Sequence, residues 1–363
     1  MLQQLNNHKK IRILIVDDSA VVRRILSTVI SDQTDMEVVG TATNGLLGIE
    51  FIRKQVPDLV ILDIEMPVMD GISALKEIRK FNSHLPIIIF SSLTQKGALV
   101  TIDALTNGAS DYQSKPSNIS DFESALIEIR ENLIPKIRTL CAPNIVATRD
   151  LLSRSDVKIP FAKHHQTTLT KGKIEAVCIG VSTGGPAALM YMFEEWKNPL
   201  TVPVLIVQHM PPKFTEFLAK RLSDIGVIPV EEPYDGQEVL PGKAYIAPGG
   251  MHMGVNRVGK NVYIELNDGP LENSCRPAVD VLFRTAANTY GPNLLAVVLT
   301  GMGSDGLKGA VEIHHHHGRI IAQDEESSVV WGMPRAVVNA NLAEKILPLK
   351  DIPSEILRQV LSS

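Results

Sequence analysis

The sequence predicts an α/β protein of two domains, each built on a largely parallel sheet. Three observations carry that expectation. Short apolar runs alternate with amphipathic helical patterns, the arrangement that yields βαβ units. Many of these runs stop at Asp, Ser, His or Gly, and ligands of doubly wound sheets bind at the carboxyl ends of strands. The chain has 363 residues, too many for one ordinary domain, and 44% of them are hydrophobic, enough for two cores.

Composition excludes several function classes. A formal net charge of −4 leaves no basic footprint for nucleic acid. The 3 cysteines, Cys141, Cys178 and Cys275, are widely spaced and form no C-x-x-C pair, which suits a reducing compartment. No apolar stretch approaches the length of a membrane span, and no signal-peptide pattern precedes the first strand. The expectation is a cytoplasmic protein without direct membrane insertion or a nucleic-acid partner.

In the first half, Ile11–Val16 reads as a buried strand ending in Asp17-Asp18-Ser19, and a helical pattern follows through Val22, Ile25, Leu26 and Ile30. Further strands are expected at Glu37–Thr41, Leu59–Leu62, Pro86–Ser91 and Asp111–Gln113, with helices between them. Asp17 and Asp18 close the first strand, and Asp63 closes the third. Converging carboxylates repel unless a cation neutralises them, and an all-oxygen set suits Mg²⁺. Ser91 and Lys115 stand at two further strand ends, offering a hydroxyl and an ammonium. Carboxylate, divalent cation, lysine and hydroxyl are the parts of a phosphoryl-transfer site.

Residues 9–132 resemble the receiver domain of two-component response regulators, a flavodoxin-like fold with a five-stranded parallel sheet. The motifs that carry the resemblance are Val16-Asp17-Asp18-Ser19, Leu62-Asp63-Ile64-Glu65-Met66-Pro67 through Gly71, Phe90-Ser91-Ser92 and Lys115-Pro116. It implies that Asp63 accepts phosphate from a histidine kinase. Asp17, Asp18 and Asp63, with the backbone carbonyl of Glu65, would hold Mg²⁺. Ser91 and Lys115 would read the phosphorylated state, and Tyr112 falls at the aromatic switch position.

The spacing of Phe122, Leu126, Ile129 and Leu133 predicts a closing helix that can extend past Pro135 to Leu140. The polar, irregular chain beyond it reads as a linker, set at 133–172, before a second domain at 173–361. His164 and His165 adjoin there, with no further ligands to complete a metal set.

The second half is organised around Glu175–Gly185. Val177–Val181 reads as a buried strand, and Pro186 suits the first turn of a helix. Gly180, Ser182 and Gly184 fit G-x-S-x-G, in which a serine sits exposed on a sharp strand-to-helix turn. A nucleophilic serine needs a base, and the base needs an orienting acid. Of the 10 histidines, His209 follows the apolar run Pro203–Val207, on the same sheet edge as Ser182. His252 is a weaker candidate in a loop. Asp305 lies in the Gly-rich turn after Leu294–Leu299. Taken singly, His209 could be a structural histidine and Asp305 a helix N-cap. The order Ser182, His209, Asp305 differs from the serine–acid–histidine order of α/β-hydrolases.

Residues from about 172 to 361 are similar to the catalytic domain of the chemotaxis protein-glutamate methylesterase family (CheB). Its motifs stand here as Ile179–Gly185, Gln208-His209-Met210, Cys275-Arg276-Pro277-Ala278-Val279-Asp280, Thr300–Gly306 and Val329–Pro334. The resemblance implies hydrolysis of γ-glutamyl methyl esters on methyl-accepting chemoreceptors, and deamidation of receptor glutamines. It implies Ser182 as nucleophile, His209 as base, Asp305 as orienting acid, and the backbone N–H groups of Met302 and Thr183 as the oxyanion site. The esterase reaction would need no cofactor, and a chemotaxis-type histidine kinase would be the partner. In the unphosphorylated state the first domain is expected to cover the edge bearing Ser182.

Two other outputs fit less well: a non-catalytic adaptor, or a nucleotide-binding domain. The latter lacks Gly-Lys-Ser/Thr and a G-x-G-x-x-G followed by an acid on the next strand. A transcriptional output would be smaller and basic. The run His314–His317 reads as a polar helix end with Gly318 as its C-cap.

Overall fold

A computed structural model describes residues 10–92, 94–116, 122–141 and 172–362; His164 and His165 fall outside them. In the first domain β1 (Ile11–Val16), β2 (Met36–Ala42), β3 (Leu59–Asp63), β4 (Ile87–Ser91) and β5 (Asp111–Ser114) form a parallel sheet of order β2-β1-β3-β4-β5. Helices α1 (Ala20–Ser31), α2 (Gly45–Lys54), α3 (Gly71–Phe81), α4 (Gln95–Thr106) and α5 (Phe122–Cys141) connect the strands or follow the last. Side chains of a strand alternate between faces. Ile13 and Ile15 therefore meet α1 and α5, whereas Leu14 and Val16 enter the core on the opposite face. Ser19, Asn44, Asp70 and Thr94 each accept an N–H three residues on, fixing the starts of α1 to α4. Such caps contribute about 1 kcal/mol apiece.

Residues 133–141, assigned to the linker from the sequence, are helical. Pro135 removes one main-chain donor from α5. Leu133, Ile134 and Ile137 are nevertheless buried in the core shared with α1, which holds the helix together across the proline.

The second domain has a seven-stranded sheet of order β14-β13-β12-β6-β7-β9-β8. Its strands are β6 (Ala176–Val181), β7 (Val204–Gln208), β8 (Val230–Glu231), β9 (Ala244–Ile246), β12 (Leu294–Val298), β13 (Arg319–Gln323) and β14 (Lys345–Leu347), all paired in parallel. β10 (His252–Val258) and β11 (Asn261–Asn267) form a separate antiparallel hairpin. The helices are α6 (Gly185–Glu195), α7 (Phe214–Ile225), α8 (Val279–Tyr290), α9 (Leu307–His315), α10 (Met333–Asn339) and α11 (Ile352–Leu361). The chain runs outward from β6 to one side, then crosses back to β12 on the other. β6 and β12 thus flank the reversal point, where a doubly wound sheet opens a crevice for ligands.

Two glycines show why the motif around Ser182 is built of small residues. A Cβ on Gly180 would stand 2.3 Å from Val279 Cγ1, so α8 lies against β6 only because that atom is missing. Gly184 has φ +78°, a left-handed conformation that turns the chain sharply into α6. The histidine run departs from expectation. α9 ends with His316 as C-cap, and His317, not Gly318, takes the left-handed conformation at φ +62°. The Gly318 N–H then donates to Ile313 O at 2.9 Å.

The domains meet through α4, which contacts α6 and α7. Ala98, Ile102 and Leu105 share one hydrophobic cluster with Met190, Phe214 and Leu218. Tyr112 stacks on Phe214, with ring centroids 5.1 Å apart and planes 19° from parallel. Among the described residues, no helix is long and apolar enough to cross a membrane.

Candidate active site and acidic pocket

The carboxyl ends of β1 and β3 bring Asp17, Asp18 and Asp63 together, with one oxygen of each within 4.8 Å of the others. Asp17 and Asp63 are buried and Asp18 is exposed. Lys115 Nζ lies 2.8 Å from Asp63 Oδ2 and 3.1 Å from Asp17 Oδ2. Burial and the neighbouring Asp17 charge raise the Asp63 pKa to about 6, against the pull of Lys115. Burial raises Asp17 as well, although Lys115 and the Ser19 N–H oppose it. Asp17 Oδ2 is buried, and Lys115 Nζ is the charge that faces it. Three carboxylates with one solvent-facing member form an all-oxygen set that fits a hard divalent cation.

Ser91 and Glu65 line the same pocket as Asp63 and Lys115. Ser91 Oγ shares a 2.6 Å hydrogen bond with Thr101 Oγ1. The Glu65 carboxylate pairs with Lys96 Nζ at 2.8 Å. Tyr112 is committed to the interdomain stack on Phe214.

In the second domain β12, β6 and β7 are adjacent, so their carboxyl ends bring Thr300, Ser182 and His209 to one edge. The Ser182 N–H donates to Thr300 O (3.0 Å), and Gln208 Nε2 donates to Ser182 O (3.0 Å). His209 N–H reaches Val181 O at 3.3 Å. The backbone at the serine is thereby fixed from both neighbouring strands. Ser182 remains partly exposed, and no hydrogen bond joins its hydroxyl to His209 among the described residues.

His209 Nε2 lies 2.7 Å from Asp305 Oδ2, while Nδ1 faces Cys275 Sγ at 3.6 Å. Nε2 is therefore the nitrogen held by the acid, and Nδ1 is the one left to work as a base. Burial alone would depress the His209 pKa, but the hydrogen bonds to Asp305 and Cys275 outweigh it and hold the value at about 9. Burial pushes the Asp305 pKa up, yet the imidazole and two backbone N–H groups keep it below the ordinary range.

Asp305 does not cap the helix that follows it; the N-cap of α9 is Gly306. It caps α8 instead, whose own N-cap, Ala278, has no side chain able to accept. Asp305 Oδ2 accepts from Val279 N–H at 2.7 Å, and Oδ1 from Asp280 N–H at 3.0 Å and Gly306 N–H at 2.9 Å. Asn273 Nδ2 adds a bond to Oδ1 at 2.7 Å.

The backbone N–H groups of Thr183 and Met302 make no main-chain hydrogen bond among the described residues. The Met302 side chain is partly exposed, and Thr139 Oγ1 of α5 lies 3.2 Å from its Sδ. The Thr183 hydroxyl donates to Asp111 Oδ2 of the first domain at 3.0 Å. His252, the weaker candidate base, is buried at the start of β10 with Nε2 on Pro270 O (2.9 Å), away from Ser182 in role.

Sequence reasoning missed Asn273, Asp280 and Asp111 as neighbours of these groups. Asp280 lay inside a quoted motif, but nothing in that motif signalled its contact with Asn273. Asp111 belongs to a strand of the other domain, so no local pattern links it to Thr183.

Comparison with known proteins places these features in a family. Residues 177–356 match the model of the CheB methylesterase family, and residues 13–127 match that of the response regulator receiver domain. A protein-glutamate methylesterase/protein-glutamine glutaminase of Trichodesmium erythraeum is 48% identical over 351 residues, covering 97% of this chain and 99% of the relative. One from a Nocardioides species is 45% identical, covering 96% of this chain and 95% of its own. The crystal structure of the Thermotoga maritima CheB methylesterase catalytic domain aligns with a TM-score of 0.50 at 41% identity, covering 52% of this chain and 99% of that one.

Proposed function

Since this chain belongs to the CheB family of protein-glutamate methylesterases, we propose that it hydrolyses γ-glutamyl methyl esters of chemoreceptors through Ser182, His209 and Asp305, under control of phosphorylation at Asp63. The observation that carries the reading is the 2.7 Å bond from His209 Nε2 to Asp305, on the sheet edge that also bears Ser182.

In this reading Nδ1 of His209 takes the proton of the Ser182 hydroxyl as Oγ attacks the ester carbonyl. The serine hydroxyl turns to meet Nδ1 on the side where Cys275 Sγ faces that nitrogen at 3.6 Å. The N–H groups of Met302 and Thr183 receive the oxyanion; a donor of that kind is worth roughly 10²–10³ in rate. The imidazolium formed, stabilised by Asp305, gives its proton to the leaving methoxide so that methanol departs, and the neutral imidazole then activates the water that releases the receptor carboxylate. A glutamine side chain follows the same course, with ammonia as the leaving group. The outcome is restoration of receptor charge, the chemistry of adaptation.

In the first domain Asp63 takes phosphate from a histidine kinase. Asp17, Asp18 and Asp63, with the Glu65 carbonyl, are the residues that would hold Mg²⁺, which when bound offsets the charge of the incoming phosphoryl group. Lys115 lies ready to pair with that group, and Ser91 must leave Thr101 to reach it. The contacts of Asp111 with Thr183 and of Thr139 with Met302 support a resting state in which the receiver covers the esterase edge.

The test is methanol release from methylated chemoreceptor membranes, with and without a small-molecule phosphodonor. Ser182→Ala should abolish release, and Asp63→Asn should remove only the stimulation. Release undiminished in Ser182→Ala would end the proposal.

A further inference from the structure

Behind Asp305 lies a second carboxylate that the reaction as described does not use. Asp280, in the first turn of α8, is completely buried. Its Oδ1 accepts from Gly309 N–H at 2.7 Å, and its Oδ2 accepts from Asn273 Nδ2 at 2.9 Å. The same Nδ2 donates to Asp305 Oδ1 at 2.7 Å. A primary amide nitrogen carries two N–H bonds, and here each is spent on a different carboxylate.

This juxtaposition needs explaining, because two acids in one buried space repel unless something separates their charges. Burial, together with the Asp305 and Glu272 charges, raises the Asp280 pKa, whereas Asp305 is held low. The charged groups facing the pair are His209 after β7 and Glu272 with its partner Arg284 at 2.6 Å, and Lys308 on α9 acts on Glu272. Asn273 is the neutral donor that serves both carboxylates at once. It is carried on a turn in which Asn273 and Ser274 both have left-handed backbones, at φ +52° and +63°. Asn accepts that conformation more readily than most residues. The turn is tied to α8 through the Glu272–Arg284 ion pair.

We propose that Asn273 is a positioning residue for the esterase reaction: its amide fixes Oδ1 of Asp305 against Asp280, so that Oδ2 stays aimed at His209 Nε2. It touches neither substrate nor the reacting atoms and acts through Asp305 alone. This rests on the assignment of Ser182, His209 and Asp305 given above.

Asn273→Ala in the full chain tests it, with methanol release from methylated receptor membranes as the readout. A fluorophosphonate probe counts the competent Ser182 sites, so that kcat is expressed per site and a partly unfolded sample is corrected. The expected result is a kcat lower by about 10- to 100-fold, the usual scale for loss of an outer partner of an active-site ligand, with KM within about twofold. Without the amide, Asp305 pulls harder on the imidazole proton, so the acidic limb of kcat should move to higher pH. Asn273→Ser, which keeps one donor, should fall between Ala and the parent and guards against a collapse of the Ala variant. A kcat per site within about threefold of the parent, or a fall without movement of the limb, would overturn the proposal. If Ser182→Ala kept its activity and escaped the probe's effect, the underlying assignment would have failed instead, and the two failures are distinct.

Discussion

The hydroxyl of Thr183 and the carboxylate of Asp111 are 72 residues apart in sequence and joined by a 3.0 Å hydrogen bond across the two domains. Both are buried, and Thr183 adjoins Ser182. Asp111 also receives the Tyr112 N–H (2.8 Å) and faces Lys136 Nζ at 3.4 Å. A buried hydrogen bond to a charged group is worth about 1.5–3 kcal/mol, and about 1.4 kcal/mol is a factor of ten in an equilibrium. Asp111→Ala should therefore raise unstimulated methanol release about tenfold and narrow the gain produced by a phosphodonor. Unchanged basal release would show that this bond does not hold the domains closed.

Asp63 makes the first domain sensitive to pH. Its pKa in the fold, about 6, lies above the ordinary 3.8. A folded-state value raised for an acid means that ionisation opposes folding. The penalty is absent below about pH 4, grows as pH rises towards 6, and is complete above that. Asp63→Asn should accordingly stabilise the protein at pH 7.5 by about 1–3 kcal/mol, with the gain fading by pH 4. Urea unfolding at the two pH values measures it, and equal gains at both would contradict the assignment of the cause to charge burial.

His209 sets the opposite dependence on activity. With a pKa of about 9 in the resting state, the imidazole is protonated at neutral pH and Nδ1 cannot accept the serine proton. Unstimulated kcat should rise with pH, reach half its limit near 9 and level off above it. The raised value also stabilises the fold, fully below the ordinary 6.5, with the contribution lost as pH rises through 9. Asp305→Asn should cut kcat by about 10⁴. A flat profile between pH 7 and 9 would remove His209 as the base.

Cys275 gives a separate handle on the same ring. Its Sγ occupies the Nδ1 side at 3.6 Å and helps hold the imidazole protonated. Cys275→Ala should move the acidic limb to lower pH, opposite in direction to Asn273→Ala. Limbs displaced in the same direction by both variants would contradict the division of labour between the two ring nitrogens.

Much of this arrangement was legible in the sequence, because strand-end residues announce themselves. Apolar runs stop at Asp17, Asp63, Ser182 and His209, and each stop lies at the carboxyl end of a parallel strand. The parallel pairing within both sheets follows from the same alternation. What could not be read depends on contacts between distant segments. Asp305 reads locally as the cap of the helix after it, yet it serves α8, about 25 residues earlier, because the backbone at Gly306 turns left-handed. The helix expected to run past Pro135 to Leu140 does so, because the buried side chains beyond the proline outweigh one missing hydrogen bond. His317 shows that a turn residue can be displaced by one position from the glycine that announces it.

The anchoring of α8 by Asp305 bears on how an inert version of this enzyme is best made. Replacing that carboxylate withdraws an anion from a helix terminus as well as from an imidazole, so a silenced protein of that kind is also a loosened one. Among the described residues the Ser182 hydroxyl makes no hydrogen bond, and its backbone groups are what join the neighbouring strands. Alanine at 182 is thus the substitution that should capture an intact receptor on an undistorted surface.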